Sequence, residues 1–197
     1  MLRMTAIFTP MPALTPDLRK ALLALPQKEK DQLLTRLVAQ DAVLVEQLTY
    51  RLLELDDDTD ALETRRQRLR TQLDDPVRGY HQTPNDLLHI VRQLQARLAY
   101  HAKITGDAFG EIELTLRLLG NVLRHQHEAV ARLHGPTQPL LQHLARRTHE
   151  VLRQTSKLHP DYLTELEPAL NEVLALLYAS AAAPLARELG IPASIGN

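Results

Sequence analysis

A chain of 197 residues, 44% hydrophobic and 24% charged, is long enough for one well-buried core and short for two independent ones. A formal net charge of -1 gives no global field to draw in nucleic acid or an anionic membrane. The lack of cysteine removes disulfides, thiolate nucleophiles and cysteine-based zinc sites together.

The amino terminus, MLRMTAIFTPMPALTP, carries prolines in a run too interrupted for a signal-peptide core, and residues 1–14 are expected to form a tail. Thr15-Pro16-Asp17 reads as an N-cap with proline at the first helical position, opening a short helix that ends before Pro26. KEKDQLLTRLVAQ and DAVLVEQLTYRLLEL follow as two helical runs, with Asp41 as N-cap of the second, so 15–55 is predicted to be a helical hairpin region. In the second run Leu44, Val45, Leu48, Leu52 and Leu55 share one stripe, assigned to the core. Val43 and Tyr50 share a second bearing, with Leu53 between the two faces. A helix apolar on two sides lies deep in a protein or offers its second side to another chain. Val43, Tyr50 and Leu53 are therefore the candidate partner surface, since tyrosine presents a rigid apolar ring with a polar tip.

Residues 56–82 are predicted to be a charged helix and linker. DDDTDALETRRQRLRTQLDD keeps only the narrow seam of Leu55, Leu62, Leu69 and Leu73. Its Arg65, Arg66, Arg68 and Arg70 are flanked by Asp56, Asp57, Asp58, Asp60, Glu63, Asp74 and Asp75, which nearly cancel the local charge, so they read as a solvated face rather than a nucleic-acid patch. Thr83-Pro84 starts the next helix, which runs to about Ile104 and is closed by Gly106. Three more follow, roughly Ala108 to His134, Thr137 to Leu158 and Pro160 to Tyr178, with connections of the length that joins antiparallel neighbours. Pro168 predicts a kink or a late start in the last of these. Residues 181–197 read as a tail with a short helix through Leu189. The longest uncharged stretch, VLALLYASAAAPLA, is too short to span a bilayer and holds Pro184, so a cytoplasmic protein with no membrane association is expected. The fold class is all-α, an antiparallel helical bundle or short α-solenoid-like array of about seven helices. It forms a single domain over 15–180, with 83–180 as the bundle.

LRHQHEAVARLHG, residues 123–135, raises a metal site. On a helix His125 and His127 point nearly opposite ways, at about 100° per residue, while His127 and His134 share a bearing two turns apart. They flank the apolar arc, as does His101 on its own helix, and edge histidines lay their rings on apolar neighbours. The chain has no Glu-x-x-His and no His-Glu-x-x-His. No catalytic residue, cofactor or metal ligand is assigned. Gln126 falls near the centre of the same arc, where its amide is expected to be bonded across the bundle. On LLQHLARRTHEVLRQTSKL the exposed side carries arginines, and Arg117, Arg124, Arg146, Arg147 and Arg153 form a candidate basic strip, with no aromatic platform interleaved.

At LRQTSKLHPDYLTELEPALNEVLALL the chain resembles the carboxyl-terminal part of an uncharacterised family of small all-helical bacterial proteins that carry a similar KLHPDYL turn. The hairpin LLTRLVAQDAVLVEQL is similar to their amino-terminal hairpin. The likeness runs from about Pro26 to Leu177, with Pro168 a departure. It implies an all-helical fold and brings no activity, cofactor or site. The leading expectation is a non-enzymatic helical interaction or scaffold protein, with a protein partner or a homo-oligomer and with nucleic acid disfavoured. The alternatives are a nucleic-acid or phosphate-ligand binder using the basic strip and, more weakly, a histidine metal enzyme.

Overall fold

The helix-starting signals act where the sequence places them. In the computed structural model, which describes residues 14–57, 59–79 and 83–196, the Thr15 hydroxyl accepts from the Leu18 N–H at the start of α1 (Pro16–Ala24). Pro26 separates this from α2 (Gln27–Ala39). Asp41 Oδ1 accepts from the N–H groups of Val43 and Leu44, 2.9 and 3.1 Å away, and opens α3 (Ala42–Thr49). The expected tail lies, apart from Leu14, outside the described residues, as do Tyr80, His81 and Gln82 of the expected linker.

The single domain expected over 15–180 divides after Val45 into two units. The amino-terminal unit holds α1, α2 and the first residues of α3, and none of its residues from 14 to 45 is buried.

The carboxyl-terminal unit begins within α3, which continues as a π-helical stretch (Tyr50–Glu54) and one further turn, α4 (Leu55–Asp57). Then come α5 (Ala61–Arg78), α6 (Pro84–Thr105), α7 (Ala108–His125), the short α8 (His127–Val130), α9 (Gln138–Thr155), α10 (Pro160–Ala179) and α11 (Ala183–Glu188). Among the described residues every regular element is helical, as the periodicity requires. Thr83 and Asp86 form a reciprocal capping box on α6. Gly106, at φ 75°, closes it in the left-handed conformation and donates to the Ala102 carbonyl.

The central element is α7. Its AFGEIELTLRLLGNVLRH is apolar nearly all round, with Leu114, Leu116, Leu118, Leu119 and Val122 essentially without solvent exposure. A helix apolar over most of its circumference has to be enclosed there, and α5, α6, α9 and α10 all pack on it, with Glu113, Arg117 and Asn121 forming a polar stripe at four-residue steps. Each such leucine contributes roughly 1.5–3 kcal/mol of burial.

Four expectations are corrected here. The segment 56–82 is not a solvated helix trailing into a linker, because α5 runs through Pro76 to Arg78 and buries Ala61, Leu73 and Val77. Residues 181–197 are not a tail, because Ala182, Ala183, Ala186 and Ile191 are buried and Ala181 N–H bonds the Val130 carbonyl at 2.9 Å. Of the two alternatives at Pro168 the late start is excluded, because α10 begins at Pro160 and is continuous past Pro168, with Leu166 and Leu170 buried on either side. The helix expected to reach His134 stops at Gln126, whose backbone (φ -110°, ψ 49°) is not helical.

That stop has a local cause. The Gln126 amide donates to the carbonyls of Val77 and Gly79, which are orphaned by the end of α5, so the cross-helix bond anticipated for this residue forms at a helix terminus. Gln126→Leu is expected to lower stability by about 1 kcal/mol, the net worth of the lost bonds, read as a shift in urea midpoint. An unchanged midpoint would mean that water serves both carbonyls equally well.

Candidate functional site

The leucines of the amino-terminal unit are unburied. Leu14, Leu18 and Leu23 are exposed, and on α2 Leu34 and Leu37, three residues apart on one face, are 62% and 52% exposed. A segment this short cannot close a core of its own, and its helices are amphipathic, so their apolar sides remain available. Their charges alternate in sign along Lys28, Glu29, Lys30 and Asp31. Across residues 14–45, Arg19, Lys20, Lys28, Lys30 and Arg36 stand against Asp17, Glu29, Asp31 and Asp41, which is not the basic excess of a helix seated on anionic lipid. Among the described residues no helix is long and apolar enough to cross a membrane.

The residues read as a partner surface do not share one environment. Val43 is partly buried in the amino-terminal unit, and Leu53, in the other unit, is exposed. Tyr50 is a correction. It is only 5% exposed, and its ring lies under the Arg65 guanidinium, 5.1 Å from the centroid. The π-helical stretch explains this, because an i→i+5 turn takes more residues per revolution than an α-turn. A wheel drawn at α-helical pitch therefore loses register, and of the stripe assigned to the core Leu44 and Leu48 are partly buried while Val45, Leu52 and Leu55 are exposed and Tyr50 turns inward.

The arginines of α5 face neighbours. Arg66 makes a two-bond fork with Asp107 (2.7 and 2.6 Å), Arg70 reaches Glu113 at 2.8 Å, and Asp74 receives Arg117 at 2.7 and 3.0 Å and Asn121 at 2.8 Å. Partners rise in number together, so α5 and α7 run in the same direction. Arg65 forks onto Glu54 at 2.7 and 2.6 Å and approaches Glu46 at 3.5 Å. Asp107 is almost fully enclosed. Burial by itself raises its pKa, but the bonds from Arg66 and the Gly110 N–H outweigh that and leave the carboxyl below its ordinary value. The Arg117 bonds likewise lower Asp74, against its own burial.

The basic strip is corrected by acidic partners on α5, α7, α9 and α10. Arg117 is paired with Asp74, Arg124 with Glu172, and Arg147 with Glu150 and Glu111. Of the five, only Arg146 and Arg153 make no ion pair among the described residues. The sequence signal for this pairing was the ladder Arg66, Arg70, Asp74 at four-residue steps, matched in opposite sign by Asp107, Glu113 and Arg117.

The histidines separate. His125, His127 and His134 line one cavity with Gln126 and Thr137, and His134 Nδ1 lies 2.7 Å from the Thr137 hydroxyl. No three histidine or acidic side chains among the described residues come together as a metal site. His101 lines a different cavity of about 580 Å3, walled by Glu46 of α3, by Arg65, Arg68 and Leu69 of α5, and by Arg97 and Tyr100 of α6. Tyr100 donates to Glu46 at 2.7 Å and Gln47 donates to the Lys103 carbonyl at 2.7 Å, fixing this wall to α6. His101 is 7% exposed, and neither ring nitrogen has a hydrogen-bond partner among the described residues. Burial holds its pKa below the ordinary value.

Compared with protein-family models, curated proteins and solved structures, the chain matches none. The likeness at KLHPDYL has no family model behind it.

Proposed function

We propose that this protein is a non-enzymatic helical scaffold that assembles with a second copy of itself through its amino-terminal unit. The observation that carries this reading is that no residue from 14 to 45 is buried although both complete helices there bear leucines. The exposed apolar side chains of this unit, Leu14, Leu18, Leu23, Leu34, Leu37 and Val45, mark a surface that gains by being covered. Charge supports a second copy as the cover. Residues 14–45 carry both signs in near balance, Arg19, Lys20, Lys28, Lys30 and Arg36 against Asp17, Glu29, Asp31 and Asp41, so two copies of this unit meet without strong like-charge repulsion. A net charge of -1 also sets no long-range repulsion between identical chains.

The test is light scattering on the full chain and on Leu34→Asp with Leu37→Asp. The wild type is expected to be a dimer or larger and the variant a monomer with an unchanged melting temperature for the carboxyl-terminal unit, because neither leucine is buried. A wild type that stays monomeric at high concentration would overturn the reading.

A further inference from the structure

The cavity at His101 is a second, independent feature, contained within the carboxyl-terminal unit. We propose that it binds a small amphipathic organic anion, its acidic group held by Arg68 and Arg97, its apolar body against Leu69 and Tyr100, and a polar substituent bonded to His101.

At about 580 Å3 the space matches metabolite-sized ligands, which favour mostly apolar clefts with a few converging polar groups. Two arginines on its lining, Arg68 and Arg97, are exposed and make neither hydrogen bond nor ion pair among the described residues. They differ in this from Arg65 beside them, whose guanidinium is committed to Glu54 and stacked on Tyr50. A guanidinium fork suits a carboxylate or a phosphate. His101 forms another part of the wall, and its two nitrogens reach neither solvent nor a protein partner. Buried polar atoms in folded proteins are almost always bonded, so this ring is a group awaiting a partner. In the proposed complex the ring turns about χ2 to present a nitrogen to the cavity it lines, where a hydroxyl or amide of the ligand serves it. Glu46, held by Tyr100 and Arg65, sets a negative charge on the same wall and selects for a ligand whose acidic group points toward Arg68 and Arg97.

The experiment titrates full-length protein with 4-hydroxybenzoate, 4-hydroxyphenyl phosphate and inorganic phosphate while following the His101 ring by NMR. An amphipathic anion shifts the His101 signals and saturates, and the stronger of the two aromatic probes identifies carboxylate or phosphate as the preferred group. Inorganic phosphate, with no apolar body, binds more weakly. Arg68→Gln with Arg97→Gln weakens binding about ten-fold or more with little change in melting temperature, because neither exposed side chain loses a hydrogen bond or ion pair and Arg68 acts on Glu54 only through its charge. His101→Leu abolishes the response of the remaining cavity signals yet raises the melting temperature, since it removes two unbonded polar atoms. That split separates a ligand-binding histidine from a structural one, which would lower the melting temperature and leave binding intact. Unmoved His101 signals with both aromatic probes at millimolar concentration, or equal binding by the double arginine variant, would overturn the proposal. Neither outcome depends on self-association.

Discussion

Asp107→Ala is expected to destabilise the carboxyl-terminal unit by about 3–5 kcal/mol, the range for removing one partner of a buried ion pair. Two losses combine. Arg66, only 17% exposed along its side chain, keeps a buried charge with no fork to receive it, and α7 loses the N-cap that accepts from Gly110 N–H at 2.8 Å. Urea denaturation read by circular dichroism measures the loss. Adding Arg66→Ala to Asp107→Ala should cost far less than Arg66→Ala does alone, because the pair is already broken. The pair also sets an acid limit. Since the folded-state pKa of Asp107 lies below its ordinary 3.8, its contribution is complete above that value and is lost as pH falls through the lower folded-state pKa. Full additivity in the cycle would show that the two residues act separately.

Gly110→Ala is expected to destabilise by about 1–3 kcal/mol, the cost of overpacking a filled site. Intrinsic propensity argues for the opposite sign, since alanine in a helix is favoured over glycine by roughly 0.5–1 kcal/mol. The crowding wins because a Cβ at this position would come within 2.7 Å of both Arg66 Nε and Asp107 Cγ. Neither atom is free to retreat, as Asp107 is tied to the helix start and Arg66 lies over the Phe109 ring, 5.3 Å from its centroid. A stabilised Gly110→Ala protein would show that the Arg66–Asp107 fork relaxes without cost. Glycine here is a matter of room and not of backbone conformation.

What the sequence made legible was local. Thr15, Asp41, Thr83 and Gly106 mark helix ends through bonds to residues two to four positions away, and each acts as read. The apolar arc of α7 likewise marks the side that faces the core. The features that escaped are set by partners dozens of residues distant. Gln126 ends its helix because Val77 and Gly79 lie across from it. Arg66 and Arg70 look like a solvated face until α7 brings Asp107 and Glu113 beside them. Tyr50 turns inward through a π-helical stretch that an α-helical wheel does not contain. The same limit applies to the sites, for the sequence reads α1 and α2 as a helical hairpin without showing what covers their leucines, and reads His101 as an edge histidine of the bundle. Both differ only in what fails to pack against them.

Amide hydrogen exchange of the full chain at two protein concentrations tests the assembly reading most directly. Self-association through the amino-terminal unit predicts that amides of α1 and α2, residues 16–39, exchange rapidly in dilute protein and become protected as concentration rises, while the amides of α7 are protected in both. Protection of 16–39 that does not change with concentration, in a chain that remains monomeric, would contradict it and place the cover for those leucines within the same molecule.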